Sequence, residues 1–586
     1  MDKNMILKNY YFLPKKIMVE KVKNKKVVFV DFFDTLVFRH IHSTQVFEQW
    51  EKAIIYRLNL ENQVKKGELV KARHLATTNL YSIYEEPPYN KVIEEVYKIN
   101  NLKIDLNEFI SISRETDIAV EIGCQYANNH LIQFLKECKI LGKKIYIISD
   151  FYLPLESYSD FIVNAGCENL IDGIFVSEFC NKKKSTGNLF RYVLENLGLN
   201  ADECVMFGDS KHSDVLQARK NGIEAFWYFP LKHKIWTNYS RICKVDFSNN
   251  IFSFLSKRLY KDTMFDEYVL ILYYFVQKLL NESKKDKACR LTFLSRGGYL
   301  LKTFTDCYIK FNRVENIKTD YAYVSRKVCL YPEKDSLVER YLRQFLDSNK
   351  RLVTVDEGWY CHSQQSITKC LDIPTLGYYL GTRGKENMDG YSDCKRKGIL
   401  FDIDPFNKKK SRLYGVFCTN CSMYEQMLTS PEGSVIAYTE NNGIIKPVLK
   451  ENDIERELYD DLIADWQRRM LLLMKSLCVW NLGNSVNEKL LARMILRTSL
   501  FANNKRCEFL NRLDGDMVDN CKETKQTHKT VKDVKVNYID LILHPDAYLG
   551  MVCKLQRRIY KSNSLNLCYK FFALLFAIYT RLLKRF

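Results

Sequence analysis

Short apolar runs separated by stretches of helical period organise the first part of the chain. The runs are residues 27–30 (VVFV), 145–148 (IYII), 174–176 (IFV), 205–207 (VMF) and 225–228 (AFWY). Helical patterns lie between them, for example over 189–197 and 214–221. Strands alternating with helices predict a parallel, doubly wound sheet. In such sheets chemistry gathers at the carboxyl ends of the strands, so the polar residues that close these runs are the ones to inspect. A long insertion between the first two runs, about 38–130, has helical period (Val92, Val96, Ile99) and predicts a helical cap. A second series begins near Arg290, with runs at 291–294, 321–324, 352–355 and 376–380. It predicts another α/β domain. The stretch 231–260 loses strong pattern and reads as a linker. The expected division is therefore 1–235, 255–560 and a basic amphipathic C-terminal helix over 561–586.

Bulk properties narrow this picture. The 586 residues are too many for one hydrophobic core. With 46% hydrophobic and 27% charged residues and no repeats, the chain should be folded throughout. A net charge of +19 attracts nucleic acid, anionic lipid or phosphorylated small molecules. The bases are spread along the chain and no RNA- or DNA-binding motif is present, which argues against a nucleic-acid partner. The 19 cysteines have no disulfide or zinc-finger spacing, and one CxxC, Cys418 to Cys421, has no second pair nearby. The N-terminus lacks an apolar core of signal-peptide length, so a cytoplasmic, reducing location is expected. No stretch reaches the ~20 apolar residues that span a bilayer. Residues 571–579 (FFALLFAIY) nevertheless form an apolar run, with Lys554, Arg557, Arg558, Lys561 and Lys570 before it and Arg581, Lys584 and Arg585 after it. Such a helix suits peripheral contact with the inner face of the cell membrane, or docking on the protein's own core. Both readings stay open from the sequence.

Four pieces at predicted strand ends carry the first candidate chemistry. They are Asp31-Phe-Phe-Asp34-Thr35-Leu36, Ser149-Asp150, Lys184-Ser-Thr-Gly-Asn-Leu-Phe190 and Gly208-Asp209-Ser210, with Asp214 five residues after Asp209. Each alone is common, because an Asp at a strand end often caps a helix. All four in this order are hard to obtain by chance. Over roughly residues 20–235 they resemble the haloacid dehalogenase superfamily. That resemblance implies Asp31 as a nucleophile forming an aspartyl-phosphate. It implies Mg²⁺ held by Asp31, the Phe33 backbone carbonyl and Asp209, with Asp214 supporting. Ser149 would donate a hydrogen bond to the phosphoryl group, and Lys184 would place a fixed positive charge beside it. One position departs: phosphatases of this superfamily carry a second Asp two residues after the nucleophile, and here it is Phe33. Dehalogenases lack that Asp too, but halide displacement needs no metal, whereas Asp209 and Asp214 are both in place. Asp34 or Asp150 is the expected source of the missing proton transfer.

The second series holds three more clusters. Ser295-Arg296-Gly297-Gly298 lies between a predicted strand and helix and forms a plausible phosphate or pyrophosphate cradle. Ser325-Arg326-Lys327 is another basic strand end, and Asp356-Glu357-Gly358 follows a buried strand. Glu425 and Ser430-Pro-Glu432-Gly433-Ser434 add carboxylates. Helix capping and surface ion pairs would also explain each cluster alone. Together with DFFDTL (31–36), SDFYLP (149–154), FLSRGGYLL (293–301), YVSRK (323–327), VDEGW (355–359) and SPEGS (430–434), the chain resembles the dual-domain ribofuranosyltransferases of bacterial surface-polysaccharide assembly. That resemblance implies transfer of 5-phosphoribose from phosphoribosyl pyrophosphate to a lipid-linked glycan acceptor, followed by removal of the 5-phosphate. Ser295, Arg296, Gly297, Gly298 and Arg326 would hold phosphates, Asp356 the ribose hydroxyls or a metal, and Glu425 or Glu432 would activate the acceptor. Two other readings compete: a single-activity phosphatase whose C-terminal domain binds a glycan or partner, and a membrane-associated scaffold with a decayed site.

Overall fold

In the computed structural model the described residues are 14–243, 251, 268–325, 336–359, 361–383, 394–403, 427–450, 456–457, 459–483, 486, 488–504, 506–508, 511 and 549–582. The chain divides into two units. The first is Met1–Ile251 with Lys475–Leu482, and the second is Phe252–Met474 with Gly483–Phe586.

The first unit is built on five strands: β1 (Val27–Val30), β4 (Lys144–Ser149), β5 (Gly173–Val176), β6 (Cys204–Gly208) and β7 (Glu224–Trp227). Every residue of β1 and β6 is buried, as expected of central strands covered by helices on both faces. Their order is β5-β4-β1-β6-β7, and all pair in parallel. From β1 the chain winds outward through β4 and β5, then returns to β6 and β7 on the other side. The switch point falls between β1 and β6, where Val30 pairs with Phe207. Crevices at such points are where doubly wound sheets bind ligands.

A short antiparallel pair, β2 (Val37–Arg39) and β3 (Gln125–Ala127), brackets the cap. The cap consists of helices α1 (Ser43–Arg57), α2 (Glu68–Leu80), α3 (Tyr89–Ile99) and α4 (Leu106–Cys124). Helix α1 starts at a capping box in which His42 accepts from Thr44 N–H and Gln45 reaches back to the His42 N–H. Asp105 caps α4 through the Glu108 N–H. The same unit takes in 475–482: Trp480 Nε1 donates to the Val120 carbonyl at 3.1 Å and Gln49 Nε2 to that of Val479 at 2.5 Å. A Cβ at Gly123 would overlap the Trp480 indole, so that position has room for no side chain.

The segment expected to be a linker contains helix α5 (Leu231–Ile242). Weak apolar period hid it, because its buried face is His233, Thr237 and Ser240 rather than aliphatic residues.

The second unit also carries a five-stranded parallel sheet: β8 (Arg290–Leu294), β9 (Lys318–Ala322), β10 (Leu352–Trp359), β11 (Thr375–Arg383) and β12 (Cys394–Ile403). Its order is β12-β11-β10-β8-β9. The switch point lies between β8 and β10, again beside the first strand. The α/β fold class read from the sequence is thus present in both units. Two elements went unpredicted: β12, rich in Lys and Arg, and the hairpin of β13 (Val435–Asn441) with β14 (Ile444–Leu449). Helix α6 (Gly298–Asn312) follows β8, and helices α7 (Glu488–Leu500), α8 (Leu549–Ile559) and α9 (Asn563–Leu582) lie toward the C-terminus.

Candidate active site

Asp31 is the first residue after β1, and its backbone N–H donates to the Phe207 carbonyl at 3.0 Å. This ties the tips of β1 and β6 together at the switch point. Lys184, arriving from the loop after β5, places Nζ 2.5 Å from Asp31 Oδ1 and 2.6 Å from Asp214 Oδ1. Thr35 Oγ1 donates to Asp31 Oδ2 at 2.9 Å and accepts the Asp209 N–H at 3.2 Å. Asp214 Oδ2 accepts the Ser210 N–H at 2.8 Å, which closes the loop after β6. Asp31, Ser149, Lys184 and Asp214 are all buried. The four sequence pieces therefore meet in one place.

Electrostatics follow from that crowding. Burial raises the Asp31 carboxyl to about 8, with Lys184 opposing and the charges of Asp214 and Asp209 adding to the rise. Burial also lifts Asp209, to about 6, against the pull of Lys234. For Lys184 burial works downward, but Asp214, Asp31 and Asp150 overcome it and hold the ammonium above its ordinary range. Oxygens of Asp31, Asp209 and Asp214 lie within 4.8 Å of one another. An anionic, all-oxygen donor set of this kind fits Mg²⁺.

The two candidates for proton transfer are placed differently from expectation. Asp34 has φ +59, accepts from His233 Nε2 at 3.1 Å and pairs with Lys234 at 3.2 Å. Burial works to raise its carboxyl, yet the His233 hydrogen bond and the charges of Arg39 and Lys234 hold it well below the carboxylate range. These contacts favour its ionised form. Asp150 spends its oxygens on the loop that carries Lys184, accepting the Lys184 N–H at 2.7 Å and the Ser185 N–H at 3.2 Å. That contact positions the lysine.

Phe33, in place of the absent Asp, is sandwiched. Its ring stacks on Phe151 at 3.8 Å between centroids, and the Arg39 guanidinium lies 4.3 Å away over the ring. Arg39 is held by a two-point pair with Glu121, at 2.9 and 3.0 Å. Ser149 buries its hydroxyl beside that of Tyr158, and neither finds a partner elsewhere among the described residues.

Lys234 and His233 carry no signal in the sequence, because the helix that presents them, α5, has no apolar stripe. Lys234 Nζ sits 2.6 Å from Asp209 Oδ2, so it bridges Asp209 and Asp34. Trp227 Nε1 donates to the Asp209 carbonyl at 2.8 Å and steadies the same loop. Also unforeseen is a cap cavity of about 240 Å³, lined by Phe47, Arg73, His74, Tyr81, Tyr89 and Tyr152 among others. Tyr152 packs on Phe151, which stacks on Phe33, so the cavity wall connects to the Asp31 centre through three aromatic rings.

In the second unit the strand ends also converge. Arg296 has φ +70, donates its N–H to the Tyr321 hydroxyl at 3.1 Å and reaches Ser434 Oγ with Nη1 at 3.0 Å. Gly297 faces Glu357 so closely that a Cβ would overlap its carboxylate. Glu432 accepts from the Tyr323 hydroxyl at 3.0 Å. Ser295 is structural: its hydroxyl donates to the Val324 carbonyl at 2.8 Å and accepts the Val324 N–H at 2.9 Å. Gly298 begins α6. Strand alternation separates the acidic pair. Glu357 meets the glycine turn, and its backbone N–H donates to Asp356 Oδ1 at 2.9 Å. Glu357, which the sequence reading did not single out as a ligand, thus lies against the cradle beside the expected Asp356. Arg326, Glu425 and the Cys418–Cys421 pair lie outside the described residues.

Residues 25–222 match the family model of haloacid dehalogenase-like hydrolases. The N-terminal part of the chain is therefore a haloacid dehalogenase-like hydrolase domain. Two glyceraldehyde 3-phosphate phosphatases are similar to it. The one from Methanocaldococcus jannaschii is 30% identical over 94 residues, which cover 16% of this chain and 40% of the relative. The one from Pyrococcus abyssi is 26% identical over 208 residues, covering 35% of this chain and 81% of the relative. The first alignment thus spans less than half of its relative. Among solved structures, a phosphatase of this type from Thermococcus onnurineus is 20% identical, covers 35% of this chain and 86% of its own, and has a TM-score of 0.25.

Proposed function

We propose that the first unit is a Mg²⁺-dependent phosphatase working through an aspartyl-phosphate on Asp31. The carrying observation is the buried meeting of Asp31 and Lys184 with Asp209 and Asp214 at the sheet's switch point. Asp31 attacks phosphorus in line, the bond from phosphorus to the ester oxygen breaks, and the departing alkoxide takes a proton from water to leave as the alcohol; a second water then hydrolyses the acyl phosphate to free phosphate and restores the Asp31 carboxylate. Lys184 keeps Asp31 oriented and offsets phosphoryl charge, and Ser149 turns its otherwise unpartnered hydroxyl to a phosphoryl oxygen. Asp31, the Phe33 backbone carbonyl and Asp209 would hold Mg²⁺, with Asp214 supporting. When bound, the ion neutralises negative charge building on the transferring group. Both named relatives act on a phosphate monoester of a short hydroxylated carbon chain, which fits a sugar-phosphate substrate.

The second half of the proposal is that the C-terminal unit transfers 5-phosphoribose from phosphoribosyl pyrophosphate to a hydroxyl of a lipid-linked glycan in surface-polysaccharide assembly, the anomeric C–O bond to pyrophosphate breaking as pyrophosphate leaves and the hydroxyl proton passing to a carboxylate base. The phosphatase then strips the 5-phosphate. Support comes from the Arg296-Gly297-Gly298 turn at a second switch point, with Glu357, Glu432 and two tyrosines around it. In this reading Asp356 binds the ribose hydroxyls or a metal, and Glu425 or Glu432 is the base for the acceptor hydroxyl.

One experiment addresses both halves. The protein is incubated with phosphoribosyl pyrophosphate, Mg²⁺ and candidate glycans, and mass spectrometry looks for pentose-phosphate and pentose adducts. Wild type yields pentose adducts, and Asp31→Asn stops at pentose phosphate. Phosphate release from ribose 5-phosphate without any adduct overturns the transfer step and leaves a phosphatase with a binding domain. Absence of Mg²⁺-dependent release overturns the phosphatase itself.

A further inference from the structure

The C-terminal helix α9 has two apolar faces, and its own protein covers one of them. Tyr569, Ala573, Phe576, Ala577 and Thr580 recur at helical spacing and are buried. The Tyr569 hydroxyl donates to the Leu500 carbonyl at 3.0 Å, at the end of α7. At 100° per residue, Leu567, Phe571, Leu574, Leu575, Ile578 and Leu582 fall on the opposite half, and all are exposed, Phe571 by 66% and Leu582 by 75%. Of the 25 large hydrophobic side chains exposed among the described residues, nine lie on this one helix. An outward apolar face that concentrated calls for an occupant.

Charge selects among the occupants. Residues 549–586 contain eight Lys and Arg residues and no Asp or Glu. Lys554, Arg557, Arg558, Lys561 and Lys570 precede the apolar face; Arg581, Lys584 and Arg585 close it. Two copies of so basic a stretch repel each other, which disfavours self-association. An apolar, aromatic face with bases at both ends matches the headgroup region of an anionic bilayer. No helix among the described residues is long and apolar enough to cross a membrane, so α9 can lie along one and not through it.

We propose that α9 is an in-plane membrane-binding element: its Tyr569 face stays docked on the second unit while its Phe571–Ile578–Leu582 face inserts into an anionic lipid surface. The two sequence readings, docked helix and membrane helix, then describe opposite sides of one element. The proposal is independent of both catalytic readings.

Flotation of the full chain with vesicles tests it. The protein should float with phosphatidylcholine vesicles containing phosphatidylglycerol, not with phosphatidylcholine alone, and high salt should weaken the binding. Phe571→Ser with Leu575→Ser, both at exposed positions, should lower partitioning roughly tenfold or more. Lys561→Gln should lower it roughly fivefold. Unchanged circular-dichroism melting and phosphate release would show that the fold is kept. If the serine pair fails to fold, Lys561→Gln and the salt series decide alone. The idea is overturned by absence of flotation on anionic vesicles, by equal binding of wild type and the serine pair, or by light scattering that shows a dimer which the serine pair dissolves.

Discussion

The two units solve the same architectural problem with different chemistry. In each, a parallel sheet reverses its winding beside its first strand, between β1 and β6 or between β8 and β10. In each, a residue other than glycine adopts a left-handed conformation within four residues of that strand's end, Asp34 at φ +59 and Arg296 at φ +70. Such conformations cost about 1 kcal/mol or more and persist where surrounding contacts hold them. The contents of the crevices diverge. The first packs Asp31, Asp34, Asp150, Asp209 and Asp214 against the ammonium groups of Lys184 and Lys234, an excess of negative charge that favours a divalent cation. The second mixes a guanidinium, two carboxylates and tyrosine hydroxyls around a glycine turn, a set better suited to direct recognition of an anionic, hydroxylated ligand. Topology decides where a site lies; side chains decide what it does.

The sharpest way to break this contrast is to remove one charge from each crevice. Asp31→Asn should reduce phosphate release from ribose 5-phosphate by roughly 10³-fold or more, since it removes the proposed nucleophile. Arg296→Ala should leave that release within about twofold and abolish pentose-phosphate transfer, a loss of at least roughly 10² if the guanidinium binds phosphate. If Arg296→Ala slows phosphate release as much as Asp31→Asn does, the two crevices are not separate sites.

Gly297→Ala probes the second crevice by volume. The new methyl must displace the Glu357 carboxylate, and overpacking of this kind costs about 1–3 kcal/mol. Calorimetry should show a lower melting temperature for the second unit, with phosphate release by the first retained.

Lys234→Met sharpens the first crevice. Lys234 occupies Asp209 Oδ2, so its removal should tighten Mg²⁺ binding several-fold, roughly 1 kcal/mol for a partly buried charge. Titration by tryptophan fluorescence has a reporter in place, because Trp227 donates to the Asp209 carbonyl. Weaker Mg²⁺ binding in the variant would assign Lys234 to holding Asp209 in position.

The smallest effect is on pH and stability without metal. Asp31 is raised to about 8, Asp209 to about 6 and Asp117 in the cap to about 6, burial being the first cause in each. Carboxyls with raised native values bind protons more tightly when folded. Their stabilising contribution is complete below about pH 4 and is lost as pH rises through 6 and 8. Asp34, with its lowered value, is ionised throughout that window and adds no slope. Thermal melts without Mg²⁺ should fall between pH 5 and 8, and saturating Mg²⁺ should flatten the decline. A rising curve would show that Lys184 dominates the cluster.

Much of the first unit was legible in the sequence. Its strands carry the apolar runs; Asp31 and Asp209 stand directly after β1 and β6, Ser149 closes β4, and Lys184 lies on the loop after β5. Lys234 was not legible, because a helix that buries His233, Thr237 and Ser240 carries no apolar stripe. The second unit was less legible. β12 (CKRKGILFDI) carries three consecutive basic residues after Cys394 and resembles a loop, and that Glu357 meets the glycine turn follows only from the strand's alternation.

The Trp480 indole against Gly123 bears on the order in which this protein is made. A ribosome finishes residue 251 well before residue 475, and at roughly 5–20 residues per second the delay is about 10–45 s. During that interval the cap helix α4 exists without the tryptophan that later fills the space above Gly123 and hydrogen-bonds Val120. The hydrolase domain therefore waits, after its own sheet and cap have been synthesised, for a segment that lies far along the chain, which leaves a nascent, half-finished cap as a natural client for chaperones.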